Sequence, residues 1–147
     1  MEFGMEMEEN CSVETFYFDD GTIQKIMFSV DGIISRPHNQ PAIVKYYPNK
    51  CLDYIAYVKN GMLHNGLDKP AYIKCFKNGL SNIEIYYQNG VLHRLNGYAF
   101  IVYNEQQEII QQFKFFNGIN VDEIWTLLHP MLRRYVILYL ISSSFVA

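Results

Sequence analysis

The sequence of 147 residues lacks the cysteine pattern of a small secreted or zinc-stabilised protein. Its three cysteines, Cys11, Cys51 and Cys75, are an odd number and include no Cys-x-x-Cys pair, so neither a disulfide framework nor a zinc knuckle is indicated. The acidic amino terminus also lacks the basic start and the apolar run of a secretory signal. We therefore expect an intracellular, reducing location.

Clustered basic charge is absent as well. The net charge is −3, and seven of the 15 acidic residues precede the first basic residue, Lys25. From Gly21 onward the chain has 12 basic residues and 15 − 7 = 8 acidic ones. The basic residues are spread along the chain and form no basic stripe of the kind that binds nucleic acid. Nucleic acid is therefore not an expected partner.

The sequence also contains no catalytic or cofactor-binding pattern. No serine lies in a Gly-x-Ser-x-Gly elbow, and no Gly-rich phosphate loop occurs. Cys51, His64, Cys75 and His93 are separated by 13, 11 and 18 residues, which matches no compact set of metal ligands. We expect a protein that is not an enzyme and that holds no cofactor, metal or small-molecule substrate.

Aromatic residues and regularly spaced turns are what the chain does contain. It has 12 Tyr and 10 Phe, a composition that favours strands. Turn glycines occur at Gly32, Gly61, Gly90 and Gly118, in steps of 29, 29 and 28 residues, and this constant period is typical of a repeat array. Each follows Asp or Asn, and these dipeptides favour type I′ hairpin turns.

A second set of turns has the same spacing and defines the predicted fold. Its members are Asp20-Gly21, Pro48-Asn49-Lys50, Asn78-Gly79 and Asn104-Glu105-Gln106. Two turns per repeat predict a mainly β fold, an antiparallel up-and-down meander of about eight strands in hairpin repeats of ~29 residues. We predict an acidic arm over 1–11, a β-hairpin repeat domain over 12–118 and a C-terminal helical segment over 119–147.

Alternation of apolar residues predicts which face of the sheet is buried. The strands that begin at Pro-Ala or its equivalent place Ala42, Val44, Tyr46, Ala71, Ile73, Cys75, Ala99, Ile101 and Tyr103 on one face. We predict that the opposing strands add Ala56, Val58, Ile85, Tyr87, Phe113 and Phe115 to that face. The other face is expected to be mixed and to include Tyr72, Glu84 and Gln112. The third repeat is one residue short between Gly90 and Ala99, which predicts a loop or bulge there.

The period changes after Gly118, where a helix start is predicted. Asn120 has the position of an N-cap, Glu123 that of a capping box, and Ile119 and Ile124 could form a hydrophobic staple. We expect the following helix, which contains Trp125, to cover the open sheet. The apolar run after Arg134 is short of the roughly 20 residues of a spanning helix, which leaves a membrane-surface helix as the alternative.

The repeated phrase resembles the variant MORN-type repeats, which read Asn-Gly-x-Leu-His-Arg-x-x-Gly-Pro-Ala. The three copies are Asn89 to Arg94 with Gly97, Asn60 to His64 with Pro70-Ala71, and Asp31 to Arg36 with Pro41-Ala42. Departures are Asn65 at the Arg position, Ser35 at the His position and Tyr98 at the Pro position. Such repeats are abundant in large DNA viruses. The resemblance implies an assembly or scaffold module and carries no catalytic residues across.

These observations predict a non-enzymatic protein for protein interaction or assembly. The leading expectation, from the resemblance, is a minor capsid-associated protein of a large DNA virus, located in the virion, whose partner is a capsid protein or another copy of itself. The alternatives are a toxin-neutralising or regulatory binding module and a peripheral membrane adaptor. The candidate partner contacts are Tyr57, Tyr72, Tyr86, Phe100 and Trp125, although ordinary cross-strand packing would also explain the strand aromatics. For His64 and His93 we expect a structural hydrogen bond that pins the loop before Pro-Ala.

Overall fold

A computed structural model describes residues 10–123 of the chain, which form 15 short strands. The strands are β1 (Cys11–Tyr17), β2 (Ile23–Val30), β3 (Ile33–Ile34), β4 (Ile43–Tyr46), β5 (Leu52–Ala56), β6 (Val58–Lys59), β7 (Met62–Leu63), β8 (Tyr72–Cys75), β9 (Ser81–Ile85), β10 (Tyr87–Gln88), β11 (Val91–Leu92), β12 (Phe100–Tyr103), β13 (Ile109–Phe113), β14 (Phe115–Phe116) and β15 (Ile119–Asn120).

Eight of these strands form the predicted antiparallel meander. Their order in the sheet is β1-β2-β4-β5-β8-β9-β12-β13, and β3 adds to the end of β2. Each long strand therefore pairs with the long strand that precedes or follows it in the chain, which confirms the mainly β, up-and-down architecture. The other six strands form three two-stranded ribbons, β6-β7, β10-β11 and β14-β15.

The three Asn-Gly turns of the 29-residue series close the ribbons, and the Asp31-Gly32 turn joins β2 to β3. In Asp31, Asn60, Asn89 and Asn117 the φ angle is 48–50°, and in the glycine that follows each it is 77–79°. Two consecutive positive φ angles define the type I′ turn, as predicted. The turns do not connect long strands directly, because loops lead from β3, β7 and β11 back to the sheet. The loop at 93–98 accommodates the residue missing from the third repeat.

The turns at the other end of the sheet differ from the type I′ prediction. Gly21, Lys50, Gly79 and Gln107 each have a single positive φ. The backbone N–H of Lys50 bonds to the Tyr47 carbonyl at 2.9 Å, and the pairing register shifts by one residue beside each turn. These are three-residue turns with a G1-type bulge. A side chain supports them, since Asn49 Oδ1 accepts a hydrogen bond from the N–H of Cys51 at 3.1 Å.

The bulges decide which residues share a face, and here the prediction was wrong. Val44 pairs with Ile55, whereas Ala56 pairs with Ile43. Residues paired directly across strands lie on the same face, so the row that contains Ala56 is on the face opposite Val44. This row crosses seven strands, and we call it the aromatic row. Its members are Met27, Ile43, Ala56, Tyr72, Ile85, Phe100 and Phe113.

The face predicted to be the core is accordingly more polar than expected. Glu84 pairs with both Ile73 and Ile101, and Ile101 also pairs with Gln112, so these polar residues lie on the face of Ile73 and Ile101. The sequence placed them on the opposite face. A single residue added at each bulge reverses the face of every residue that follows in the strand.

Three alanines mark the most tightly packed positions. Ala42, Ala71 and Ala99 are 0% exposed, as expected for the predicted core, and each directly precedes a strand, β4, β8 and β12 respectively. Val58 packs with Ala42 in one small cluster, and Ile101 packs with Ala99 in another. The core is therefore divided among the repeats.

Thiol labelling is expected to distinguish Cys11 from Cys75. Cys11 is exposed on the edge strand, whereas Cys75 is 4% exposed and burial raises the pKa of its thiol. We expect iodoacetamide to modify Cys11 rapidly in the folded protein and to modify Cys75 only after unfolding, as read by mass spectrometry. Labelling in urea is the control, and rapid modification of Cys75 in the folded protein would contradict its burial.

The predicted helix start is present. The helix begins at Val121, and Asn120 caps it, because the Asn120 Oδ1 accepts a hydrogen bond from the N–H of Asp122 at 3.1 Å. The predictions that a longer helix covers the sheet and that Trp125 contacts a partner lie outside the described residues.

Candidate functional site

Each ribbon turn is held by a side chain of the loop before it. The backbone N–H of Asn89 donates to His64 Nδ1 at 3.2 Å, and that of Asn117 donates to His93 Nδ1 at 3.2 Å. In the first repeat Ser35 Oγ accepts the equivalent bond from Asn60 at 3.1 Å. Each of the two histidines thus makes a structural hydrogen bond that joins its own loop to the turn of the next repeat.

The His93 ring must be neutral to accept this bond, and its surroundings favour that form. His93 is 8% exposed, its ring centroid lies 4.7 Å from that of Phe116, and burial lowers the pKa of the imidazole from its ordinary value of 6.5. With Nδ1 accepting, the proton of the neutral ring is on Nε2.

This environment predicts lower stability in mild acid. The lowered pKa of His93 means that the unfolded chain binds the proton more readily, so the stabilising contribution is present above about pH 6.5 and is lost as the pH falls below it. We expect the free energy of unfolding to fall between about pH 7.5 and 5.5, and to fall less in His93→Gln. Denaturant unfolding at several pH values measures how the free energy of unfolding changes with pH in the wild type and in His93→Gln. An equal change in the two proteins would contradict the role of His93.

Arg94 connects two neighbouring loops. Its guanidinium lies 3.9 Å from the centroid of the Tyr86 ring, and it bonds Asp68 of the previous loop through Nε at 2.9 Å and a terminal nitrogen at 3.0 Å. A third bond reaches the Tyr98 carbonyl at 3.2 Å. Tyr86 is 7% exposed under this guanidinium, so it packs inside the protein and has little surface to offer a partner.

Arg36 in the first repeat has the same ring stacking and carbonyl bond, whereas the second repeat has no arginine at this position. Arg36 lies 3.6 Å from the centroid of the Phe28 ring and donates to the Pro41 carbonyl. Asn65 replaces arginine in the second repeat, where its Nδ2 bonds the Pro70 carbonyl at 2.8 Å. Asn65 Oδ1 is buried and has no hydrogen-bond partner among residues 10–123.

A cavity of about 300 Å³ lies between the loop at 35–40 and the start of the ribbon β6-β7. We call it the inter-repeat cavity. Tyr57 lines it together with Asn39, His64, Arg36 and Lys59. Nearly all of its polar lining groups are amides, hydroxyls, imidazoles or cations, and none is a carboxylate.

The predicted partner contacts do not form one stripe. Tyr72 and Phe100 belong to the aromatic row, where they are half-buried and separated by Ile85. Tyr57 and Tyr86 lie between the sheet and the ribbons, Tyr57 against the inter-repeat cavity and Tyr86 under Arg94. Trp125 is outside the described residues.

A buried carboxylate next to the aromatic row was missed by the sequence analysis. Asp53 is 5% exposed and binds Lys74 through Oδ1 and Lys45 through Oδ2, the latter at 3.4 Å. Burial alone would raise the pKa of this carboxyl, but the hydrogen bond and charge of Lys74 outweigh it and hold the pKa below its ordinary value. The detectable signal was the pair of lysines at equivalent positions of β4 and β8.

Within residues 10–123, no three His, Cys, Asp or Glu side chains are grouped so that they could hold a metal ion. The same part of the chain contains no helix with the length and apolar character needed to cross a membrane. No family model, curated protein or solved structure matches this chain.

Proposed function

We propose that this protein is a non-enzymatic repeat protein that binds a protein partner through the aromatic row. One observation carries the proposal, the unbroken apolar character of that row across seven strands. Six of its seven side chains remain partly exposed, and only Ala56 is buried. Partly exposed aromatic residues at the centre of a patch are characteristic of protein interfaces.

The surroundings of the row support the same proposal. Next to it on the same face runs a second row, in which Lys25 pairs with Lys45, and Tyr54 pairs with Lys45 and Lys74. The ring centroids of Tyr54 and Tyr72 are 5.5 Å apart, which makes the two rows continuous. An apolar centre with a charged rim has the anatomy of a binding patch.

The row can be tested by removing its aromatic rings. We expect the double variant Tyr72→Ser, Phe100→Ser to remain folded by circular dichroism and to bind its partner at least about 30-fold more weakly, because truncated central aromatics cost about 2 kcal/mol or more. The matched control is Val44→Ser, Gln112→Ser, on the opposite face of the same sheet. Calorimetry measures the affinity of each variant for the protein that co-purifies with the wild type. Equal affinities of the two double variants would contradict the proposal.

A finer proposal rests on the resemblance to MORN-type repeats of large DNA viruses. In it the partner is a capsid protein or a second copy of this chain. We expect the protein to sediment with capsid protein or to self-associate in analytical ultracentrifugation, and the aromatic-row variant to lose that behaviour. A defined small complex with a toxin would support the regulatory alternative, and flotation with liposomes would support the membrane adaptor.

A further inference from the structure

The inter-repeat cavity is the counterpart of a space that is filled one repeat later. Between the second and third loops, the Arg94 guanidinium occupies that space, over the ring of Tyr86 and against Asp68. Between the first and second loops, the equivalent tyrosine and the equivalent loop residue both line an open cavity. The equivalent pairs, each 29 residues apart, are Asn39 and Asp68, Tyr57 and Tyr86, and Asn65 and Arg94.

Asn65 reproduces only part of what Arg94 does. Its Nδ2 donates to the Pro70 carbonyl, as an Arg94 nitrogen donates to Tyr98, but the short side chain supplies no group to stack on Tyr57. It also leaves its own Oδ1 buried without a donor in the described residues. Buried acceptors are nearly always paired, so this oxygen is an exception among the described residues.

We propose that the inter-repeat cavity binds the guanidinium group of an arginine side chain of the partner protein. The bound group would stack on the ring of Tyr57 and donate hydrogen bonds to the side-chain oxygen of Asn39, as Arg94 does with Tyr86 and Asp68. This inference deepens the proposed function and rests on it, because it assigns one side chain of the protein partner.

The charges around the cavity determine how tightly we expect it to bind a guanidinium group. Arg36 and Lys59 also line it, but the Arg36 guanidinium is stacked on Phe28 and bonded to Pro41, and Lys59 is exposed to water. Because no carboxylate lines the cavity, we expect millimolar affinity for an isolated guanidinium. Asn39→Asp supplies the carboxylate that Asp68 gives to Arg94 and is expected to raise the affinity about tenfold.

The test uses the full chain and methylguanidinium, followed by two-dimensional NMR of backbone and side-chain amides. We expect saturable shifts centred on Asn39 and Tyr57, which line the cavity, while methylammonium and sodium chloride at equal ionic strength leave them unchanged. Asn65→Arg is expected to abolish the shifts and raise the melting temperature, since its own guanidinium fills the cavity. Tyr57→Leu keeps an apolar residue without the aromatic face and is expected to weaken binding severalfold.

Three outcomes would overturn the inference. They are shifts that do not saturate, shifts that persist in Asn65→Arg, and saturable shifts produced by acetate but not by methylguanidinium, which would make the cavity an anion site. Failure of this inference is separable from failure of the proposed function, because the cavity variants leave the aromatic row intact and the row variants leave the cavity intact.

Discussion

Ala99→Leu is expected to lower the free energy of unfolding by about 3 kcal/mol, the largest effect of any single substitution considered. Ala99 is 0% exposed, and its backbone is fixed on both sides, with its N–H bonded to Phe113 at 2.9 Å and its carbonyl bonded by Tyr86 at 2.8 Å. The extra methyl and methylene groups must therefore displace either the buried Tyr86 ring or the neighbouring strands.

Val102→Leu is the matched control for this substitution. Val102 lies on β12, the strand that directly follows Ala99, and is half-buried, so we expect a change below about 1 kcal/mol. Thermal and denaturant unfolding measure both variants. If Ala99→Leu melts within a few degrees of the wild type, the column of buried alanines is not the tightly packed junction described above.

Gly90→Val is expected to destabilise the protein by roughly 1–3 kcal/mol. Gly90 has a φ of +78°, which a β-branched residue resists, and a Cβ atom there would lie 3.5 Å from the side chain of Met62 in the previous ribbon. Space is therefore sufficient, and the expected loss comes mainly from the backbone conformation.

Gly66→Val is the control that separates the effect of backbone conformation from the effect of the larger side chain. Gly66 is not among the positive-φ glycines, and a Cβ atom there would meet only Asn39 Oδ1, at 3.9 Å. We expect a change within about 0.5 kcal/mol. Equal destabilisation by the two valines, measured by denaturant unfolding, would show that the type I′ turn at Gly90 contributes nothing specific.

Local features of the fold could be predicted because their causes are local. The positive φ angles at Asn89-Gly90 follow from the dipeptide itself, and the helix cap at Asn120 follows from a side chain that bonds the backbone two residues later. The meander follows from the even spacing of such turns. Each of these needs only a few consecutive residues to be specified.

The pairing register of the strands could not be predicted, because it depends on bulges that have no strong local sequence signal. A bulge beside Lys45 and Tyr46 adds one residue to one strand, and this shift moved Ala56 to the other face. Lys50 supplies the positive φ of that turn without being glycine, so the three-residue turn had no strong sequence signal. The aromatic row was therefore divided between two predicted faces.

The candidate sites were found only in part because they depend on residues far apart in the chain. Tyr57, Tyr72 and Phe100 were identified from their aromatic character, yet the partnership of Arg94 with Asp68 spans 26 residues and that of Lys74 with Asp53 spans 21. Asn65 was noted as a departure from the repeat phrase. Its two consequences are an unpaired buried oxygen and an open cavity next to Tyr57, and both depend on how neighbouring repeats pack.

The consecutive order of the strands gives the sheet a length that is set by the number of repeats. Eight strands at about 4.8 Å separation span roughly 34 Å, and each further repeat of two strands would add about 10 Å. Asn10 is bonded to the first repeat through Asp31, and Val121 is bonded to the last through Lys114, so the two ends of the described chain lie at opposite ends of this span. Whatever is attached at the two ends is therefore held at a distance that the number of repeats determines.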